Sequence, residues 1–225
     1  MEYENYFLAF IDILGFKNII NNSEFNQVFD IFKFFINPIK GSYKIENNSE
    51  LTPLINPDDL KLKIMSDSIV FYIKDDSKNA LFSLLSTCSQ FQTNLINMEK
   101  PILSRGGIVH GQFFIKGDIM FGPALTQAYL LENQNAKYPR IILNKTLLQS
   151  LNPEEKELCQ NKHLVFEDDD YFYTINFLDH LPPASDDLTK FRNHINSILD
   201  TSTDCKIREK YLYLKKIIEK NFPSN

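Results

Sequence analysis

Glycine is scarce in this sequence, with 7 among 225 residues, while phenylalanine reaches 19. That balance excludes a Gly-rich linker architecture and a disordered chain, which would be poor in large apolar residues. Cysteine is sparse as well. Cys88, Cys159 and Cys205 lie far apart and form no Cys-x-x-Cys pair, so neither a zinc site nor a disulfide framework is expected. No apolar run approaches the roughly 18 residues that a membrane span needs. The opening MEYENYFLAF has no basic stretch ahead of its apolar run, which reads as a cytoplasmic, reduced chain. Positive charge is in deficit: Lys+Arg number 24 against Asp+Glu 29, a net charge of −5. Such a chain does not suit nucleic acid or an anionic membrane, whose phosphates require a basic face. One small phosphate ligand needs only a few local Lys and Arg.

What is present suits a globular domain, with 43% hydrophobic and 24% charged residues. The sequence reads as a single domain over 1–225, with a core over about residues 5–180 and a helical extension over about 185–222. Phe7 to Ile13 is a short apolar run closed by Leu14-Gly15, which predicts a buried strand. Ser23 to Ile36 carries Phe25, Val28, Phe29, Phe32 and Phe35 at helical spacing, a helix whose Phe stripe faces the core and which Pro38 ends. Residues 40 to 58 are polar and read as a surface excursion. Leu60 to Met65 and Ile69 to Ile73 form a hairpin around Ser66-Asp67-Ser68. Asp76 or Ser77 then caps a helix to about Met98.

Ile102 to His110 is the next strand, with a turn beginning at Gly111. Pro123 opens a helix through Glu132, Arg140 to Leu143 is a short strand, and a second hairpin surrounds Asp168-Asp169-Asp170. That acidic turn lacks the later Gly and Glu of a calcium loop. The last fifty or so residues are mainly helical, and Lys210, Lys215, Lys216 and Lys220 read as a solvated basic face. His110 has no ligand partner at metal spacing and reads as structural.

The order strand, helix, strand, strand, helix, strand is α+β: a ferredoxin-like βαββαβ core with an added C-terminal hairpin and helices. Right-handed crossovers make the first two strands parallel and place the third between them. Asp12, near the end of strand one, then shares a sheet edge with Asp67 in the hairpin turn. A turn explains Asp67 by itself. It does not explain Asp12, because Asp is depleted in apolar strands and a buried charge is costly. Adjacent carboxylates repel unless cations lie between them. Mg²⁺ and Mn²⁺ take oxygen ligands and complete their shells with substrate phosphates.

Four segments in order carry a family resemblance. FIDILGF (Phe10 to Phe16) resembles the first metal motif of class III adenylate and guanylate cyclases. KIMSDSIVF (Lys63 to Phe71) resembles their second, with Ser66 where the family has Gly. RGGIVHG (Arg105 to Gly111) resembles their Arg-x-Gly-Ile-x-x-Gly strand, and FGPALTQAYLLE (Phe121 to Glu132) their dimer-completing helix. The resemblance implies that Asp12 and Asp67, with the Ile13 carbonyl, hold two Mn²⁺ or Mg²⁺ ions. It also implies that Lys63 recognises the base, that Arg105 binds the triphosphate, and that a homodimer shares its sites.

The sequence departs from the family on that helix. The family's Asn and Arg fall at Thr126 and Leu130. Thr126 can supply part of the Asn function, whereas a leucine cannot replace an arginine's charge and five donors. Arg140, Lys116 and Lys137 are candidates for the missing cation. Arg140 is presented rigidly by Tyr138-Pro139-Arg140 and reads either as that catalytic cation or as an ordinary loop charge. GPALTQAYLLE with the following YPRIIL is similar to the bacterial pyrimidine cyclases of Pycsar antiphage systems. That likeness implies a nucleoside triphosphate substrate, UTP ahead of CTP, cyclised to a second messenger. The alternatives are a degenerate cyclase domain that binds nucleotide or a partner without turnover, a small interaction protein, and a diguanylate cyclase. The last is disfavoured because Met65-Ser66-Asp67-Ser68 lacks that group's Gly-Gly-[Asp/Glu]-Glu-Phe turn.

Overall fold

The chain begins with a ten-residue strand, β1 (Glu4–Ile13), that becomes the centre of the molecule. Its odd-numbered residues Phe7, Ala9, Ile11 and Ile13 belong to one apolar cluster, and Tyr6, Leu8 and Phe10 to another on the opposite face. A strand buried on both faces reads as a continuous apolar run, which is how the sequence reads here. The computed structural model describes residues 2–40, 44–47, 50–53, 59–161, 163–181 and 185–222.

Along the chain follow α1 (Phe16–Asn22), α2 (Phe25–Lys40), β2 (Lys44–Asn47), β3 (Glu50–Pro53), β4 (Lys61–Met65), β5 (Ser68–Lys74), α3 (Ala80–Ile96), β6 (Ser104–Lys116) and β7 (Ile119–Phe121). Then come α4 (Pro123–Asn135), β8 (Ile141–Leu143), α5 (Lys145–Gln149), α6 (Pro153–Asn161), β9 (Val165–Glu167), β10 (Tyr173–Ile175), a 3₁₀ turn (Phe177–His180), α7 (Asp186–Thr201) and α8 (Cys205–Asn221). The main sheet runs β4-β5-β1-β6-β8-β10-β9, with β7 hairpinned onto β6. β1 is antiparallel to both β5 and β6, and β4 is antiparallel to β5. The four strands β4-β5-β1-β6, with α1, α2 and α3 in the crossovers, are the ferredoxin-like core expected from the element order. β8 joins β6 in parallel, and the β9–β10 hairpin extends that side.

The α3 helix is buried on nearly every side. Leu81, Leu84, Leu85, Cys88, Phe91 and Leu95 form the expected apolar face. Its other face is buried too, through small polar residues that bond to backbone: Ser89 donates to the Asn176 carbonyl at 2.9 Å and Thr93 to that of Phe177 at 2.6 Å. α7 and α8 make a second cluster from Phe191, Ile195, Tyr213, Leu214 and Ile217, which includes Leu103 and Phe177 from the sheet side.

Several boundaries differ from the sequence reading, each for a physical reason. The α3 helix starts at Ala80 after Asn79 in a left-handed conformation, so neither Asp76 nor Ser77 caps it. Gly111 does not start a turn: it lies inside β6 opposite Tyr6, and the chain reverses at Gly117, where φ is 61°. The α2 helix extends through Pro38 to Lys40. Its Phe stripe is only partly core. Phe25 and Phe29 are exposed and stacked on each other, while Ile31 is buried and Phe32 packs on the core; the Phe35 side chain lies outside the described residues. The 40–58 excursion contains the β2–β3 hairpin, with the rest outside the described residues.

One contact sets the height of α4 above the sheet. A Cβ at Gly107 would lie 2.7 Å from the Ala128 carbonyl oxygen and 2.9 Å from the Leu131 Cβ. Those are fixed atoms, so the helix would have to lift. Gly107→Ala is expected to cost about 2 kcal/mol, the range of overpacking in a tight interior, seen as a lower chemical-denaturation midpoint. An unchanged midpoint would contradict this packing.

Candidate active site at one edge of the sheet

Hairpin register brings the two aspartates together. Met65 pairs with Ser68, leaving Ser66 and Asp67 as a two-residue turn. Ser66 takes φ 59°, a conformation that favours glycine, which is the residue the resembled motif has at that position. Asp12 pairs with Ser68, and the Ile13 N–H donates to the Asp67 carbonyl at 2.9 Å. On its other side Asp12 lies directly opposite Arg105 of β6. The Arg105 Nε–H donates to Asp12 Oδ2 at 3.3 Å.

The same Nε lies 2.7 Å from Glu132 Oε1. Glu132 comes from α4, whose inward stripe is Ala124, Ala128 and Glu132. Its side chain is only 2% exposed, and Oε1 has no hydrogen-bond partner. Asp12 and Arg105 are partly open, at 21% and 25%. The site is thus an open edge with a buried carboxylate behind it.

Burial dominates the electrostatics of this edge. Burial raises the Asp12 carboxyl above the ordinary carboxylate range; Arg105 opposes that through its hydrogen bond and charge, the Asp67 charge adds to it, and Lys210 of α8 lowers it. Burial pushes the Glu132 carboxyl up to about 7, with the Arg105 charge opposing and the Asp12 charge adding. A carboxyl raised in the folded state loses stability as pH climbs from its ordinary value toward the raised one, because the unfolded chain releases its proton first. The wild-type melting temperature is therefore expected to fall between about pH 5 and about pH 7.5 by more than that of Glu132→Gln. Parallel declines would contradict the burial of a titrating Glu132.

The other sequence candidates are dispersed. Lys63 sits on β4 and pairs with Asp118 of the β6–β7 turn at 3.0 Å. Thr126 and Leu130 are exposed on the outward face of α4, away from its Glu132 stripe. Arg140, read as a stand-in cation or a loop charge, lies in a buried ion-pair network. Its side chain is 2% exposed, with Nη1 donating to Asp168 at 2.5 Å and Nη2 paired with Asp170. The Tyr213 hydroxyl donates to Asp168 at 2.6 Å, and the rings of Tyr138 and Tyr213 stack with centroids 4.5 Å apart. Both Nη groups are engaged by the β9–β10 turn, which Tyr213 ties to α8, while the buried Nε has no hydrogen-bond partner. Glu132 is the site residue that the sequence reading did not single out; its i, i+4, i+8 spacing from Ala124 and Ala128 was the available signal.

The donor set fits Mg²⁺ or Mn²⁺. Among the described residues no group of three or more His, Cys, Asp or Glu stands at metal distance. Two carboxylates and a backbone carbonyl match hard cations that take the rest of their shell from water and substrate phosphates. Among the described residues no helix is long and apolar enough to cross a membrane.

No protein-family profile and no curated protein matches the chain. Solved structures that resemble it include the adenylyl cyclase CyaB from P. aeruginosa, at 14% identity over 77% of this chain and 94% of that one, TM-score 0.48. The catalytic core of a rhodopsin-guanylyl cyclase with converted specificity, in complex with ATPαS, matches at 13% identity over 78% and 96%, TM-score 0.48. A bacterial light-regulated adenylyl cyclase matches at 14% identity over 88% and 99%, TM-score 0.45.

Proposed function

We propose that this chain is a nucleotidyl cyclase that converts a pyrimidine nucleoside triphosphate, UTP ahead of CTP, to a 3′,5′-cyclic mononucleotide and pyrophosphate. The observation that carries the reading is the meeting of Asp12 and Asp67 through the Ile13–Asp67 backbone bond, beside Arg105. The four motifs in family order support the reaction class. The GPALTQAYLLE and YPRIIL segments support the pyrimidine substrate and a signalling role in antiphage defence.

Asp12, Asp67 and the Ile13 carbonyl would hold two divalent ions. Bound there, such ions lower the pKa of a ribose 3′-hydroxyl and neutralise charge developing on the α-phosphate. The remaining tasks fall to the chain's own side chains. Arg105 binds the triphosphate, and Lys63, steadied by Asp118, meets the base. Thr126 orients the ribose from a second protomer, since it faces outward on α4. Exposed Ile119, Phe121, Tyr129 and Leu130 surround that face, and their apolar character suits a homodimer that completes each site.

A second reading is favoured by one observation: Leu130 presents an exposed aliphatic side chain where the resembled helix carries a cation. A domain that binds nucleotide without turnover would tolerate that change. Incubation with Mn²⁺ and each of ATP, GTP, CTP and UTP, followed by mass spectrometry, separates the two. A cyclic mononucleotide from one pyrimidine triphosphate is expected, with a rate per protomer that collapses on dilution to monomer. Tight nucleotide binding with no pyrophosphate released would establish the binding-only domain instead.

A further inference from the structure

We propose that Glu132 is the positioning residue for the triphosphate arginine: it holds Arg105 from behind the sheet edge, so that the guanidinium yields Asp12 to a metal ion. The proposal rests on the metal reading of Asp12 given above. One N–H has two acceptors: Asp12 Oδ2 at 3.3 Å and Glu132 Oε1 at 2.7 Å. It is aimed at Asp12, and the nearer oxygen has no hydrogen bond. A buried carboxylate is costly unless a cation is paired with it, so this off-line ion pair between Glu132 and Arg105 calls for an explanation.

Geometry supplies one. Asp12 and Arg105 are cross-strand neighbours on the open edge, so the guanidinium occupies the ground a cation would take. A divalent ion arriving at Asp12 repels it. Glu132 is too deep to serve as a metal ligand at 2% exposure, yet it is within reach of the displaced N–H without a large movement of the arginine. The depth of Glu132 is fixed by the close seat of α4 on Gly107. The arginine then stays at the edge, satisfied from behind, with its outer nitrogens turned to substrate. Without Glu132 the same arginine would be left, among the described residues, with Asp12 alone and would compete with the metal.

The test is Mn²⁺ binding to the full chain without nucleotide, followed by electron paramagnetic resonance of free Mn²⁺. Wild type is compared with Asp12→Asn, Arg105→Gln, Glu132→Gln and the Arg105→Gln/Glu132→Gln double variant. Arg105→Gln is expected to bind Mn²⁺ about tenfold tighter, since a competing positive charge is gone. Glu132→Gln is expected to bind about fivefold weaker, and this loss is expected to vanish in the double variant, because Glu132 acts only through Arg105. A loss of equal size in both backgrounds would show that Glu132 merely adds negative potential, and would overturn the proposal. So would unchanged affinity in either single variant. In wild type, ¹⁵N NMR with Mg²⁺ is expected to move the Arg105 Nε–H resonance, with no such movement in Glu132→Gln. If wild type and Asp12→Asn bind Mn²⁺ equally, the metal reading itself fails, and this proposal falls with it.

Discussion

Asparagine at both Asp12 and Asp67 is expected to cut product formation by about a thousandfold or more, the scale of several kcal/mol of charge stabilisation. Folding is expected to survive. Arg105 keeps Glu132 as a partner, and the change removes a repulsion between neighbouring carboxylates that raises the Asp12 carboxyl. The melting midpoint is therefore expected to move by only a few degrees, since about 1 kcal/mol shifts a domain of this size by about 2–4 °C. Activity loss with an intact melting curve separates a chemical role from a structural one. Retention of more than about a tenth of the wild-type rate would contradict metal binding by these two residues.

Arg140→Met is expected to do the reverse. Removing one member of a buried ion pair leaves Asp168 uncompensated at 11% exposure, a loss on the order of 3 kcal/mol. At this chain length that corresponds to a fall of about 10 °C in melting midpoint. The destabilisation is expected to be shared, not added, with Asp168→Asn, because both break one Arg140–Asp168–Tyr213 network. At a temperature where the variant is fully folded, the rate per molecule is expected to stay within about twofold of wild type. A cation that met the transition state would instead cost orders of magnitude in rate.

These two variants mark what could be read from the sequence. Asp12 was legible because a charged residue interrupts an apolar strand, and Asp67 because a tight turn with Ser66 in a glycine-type conformation needs short polar residues. The strand and helix order then sufficed to place both on one edge, since crossover handedness and hairpin register leave little choice. Arg140 was not legible as a buried residue. Its partners Asp168 and Asp170 lie on a different hairpin, and nothing local to Tyr138-Pro139-Arg140 announces a long-range ion pair.

Glu132 was missed for a different reason. It stands near the end of a helix of mixed composition, where Glu ordinarily faces water. Only the alanine spacing ahead of it and Gly107 hinted that this helix sits hard against the sheet. The Phe25–Phe29 pair shows the opposite error. Helical spacing of aromatics predicts a core face, yet α2 turns Ile31 and Phe32 inward and leaves Phe25 and Phe29 outside. Periodicity gives a stripe but not the direction in which the neighbouring elements receive it.

Asp12 and Asp67 are proposed to hold divalent cations jointly at this sheet edge. Anomalous diffraction from crystals grown with Mn²⁺ and a non-cyclisable triphosphate analogue tests it most directly. Two anomalous peaks at the edge shared by Asp12 and Asp67 are the expected result. Manganese at the acidic Asp168–Asp170 turn with none between Asp12 and Asp67 would contradict it.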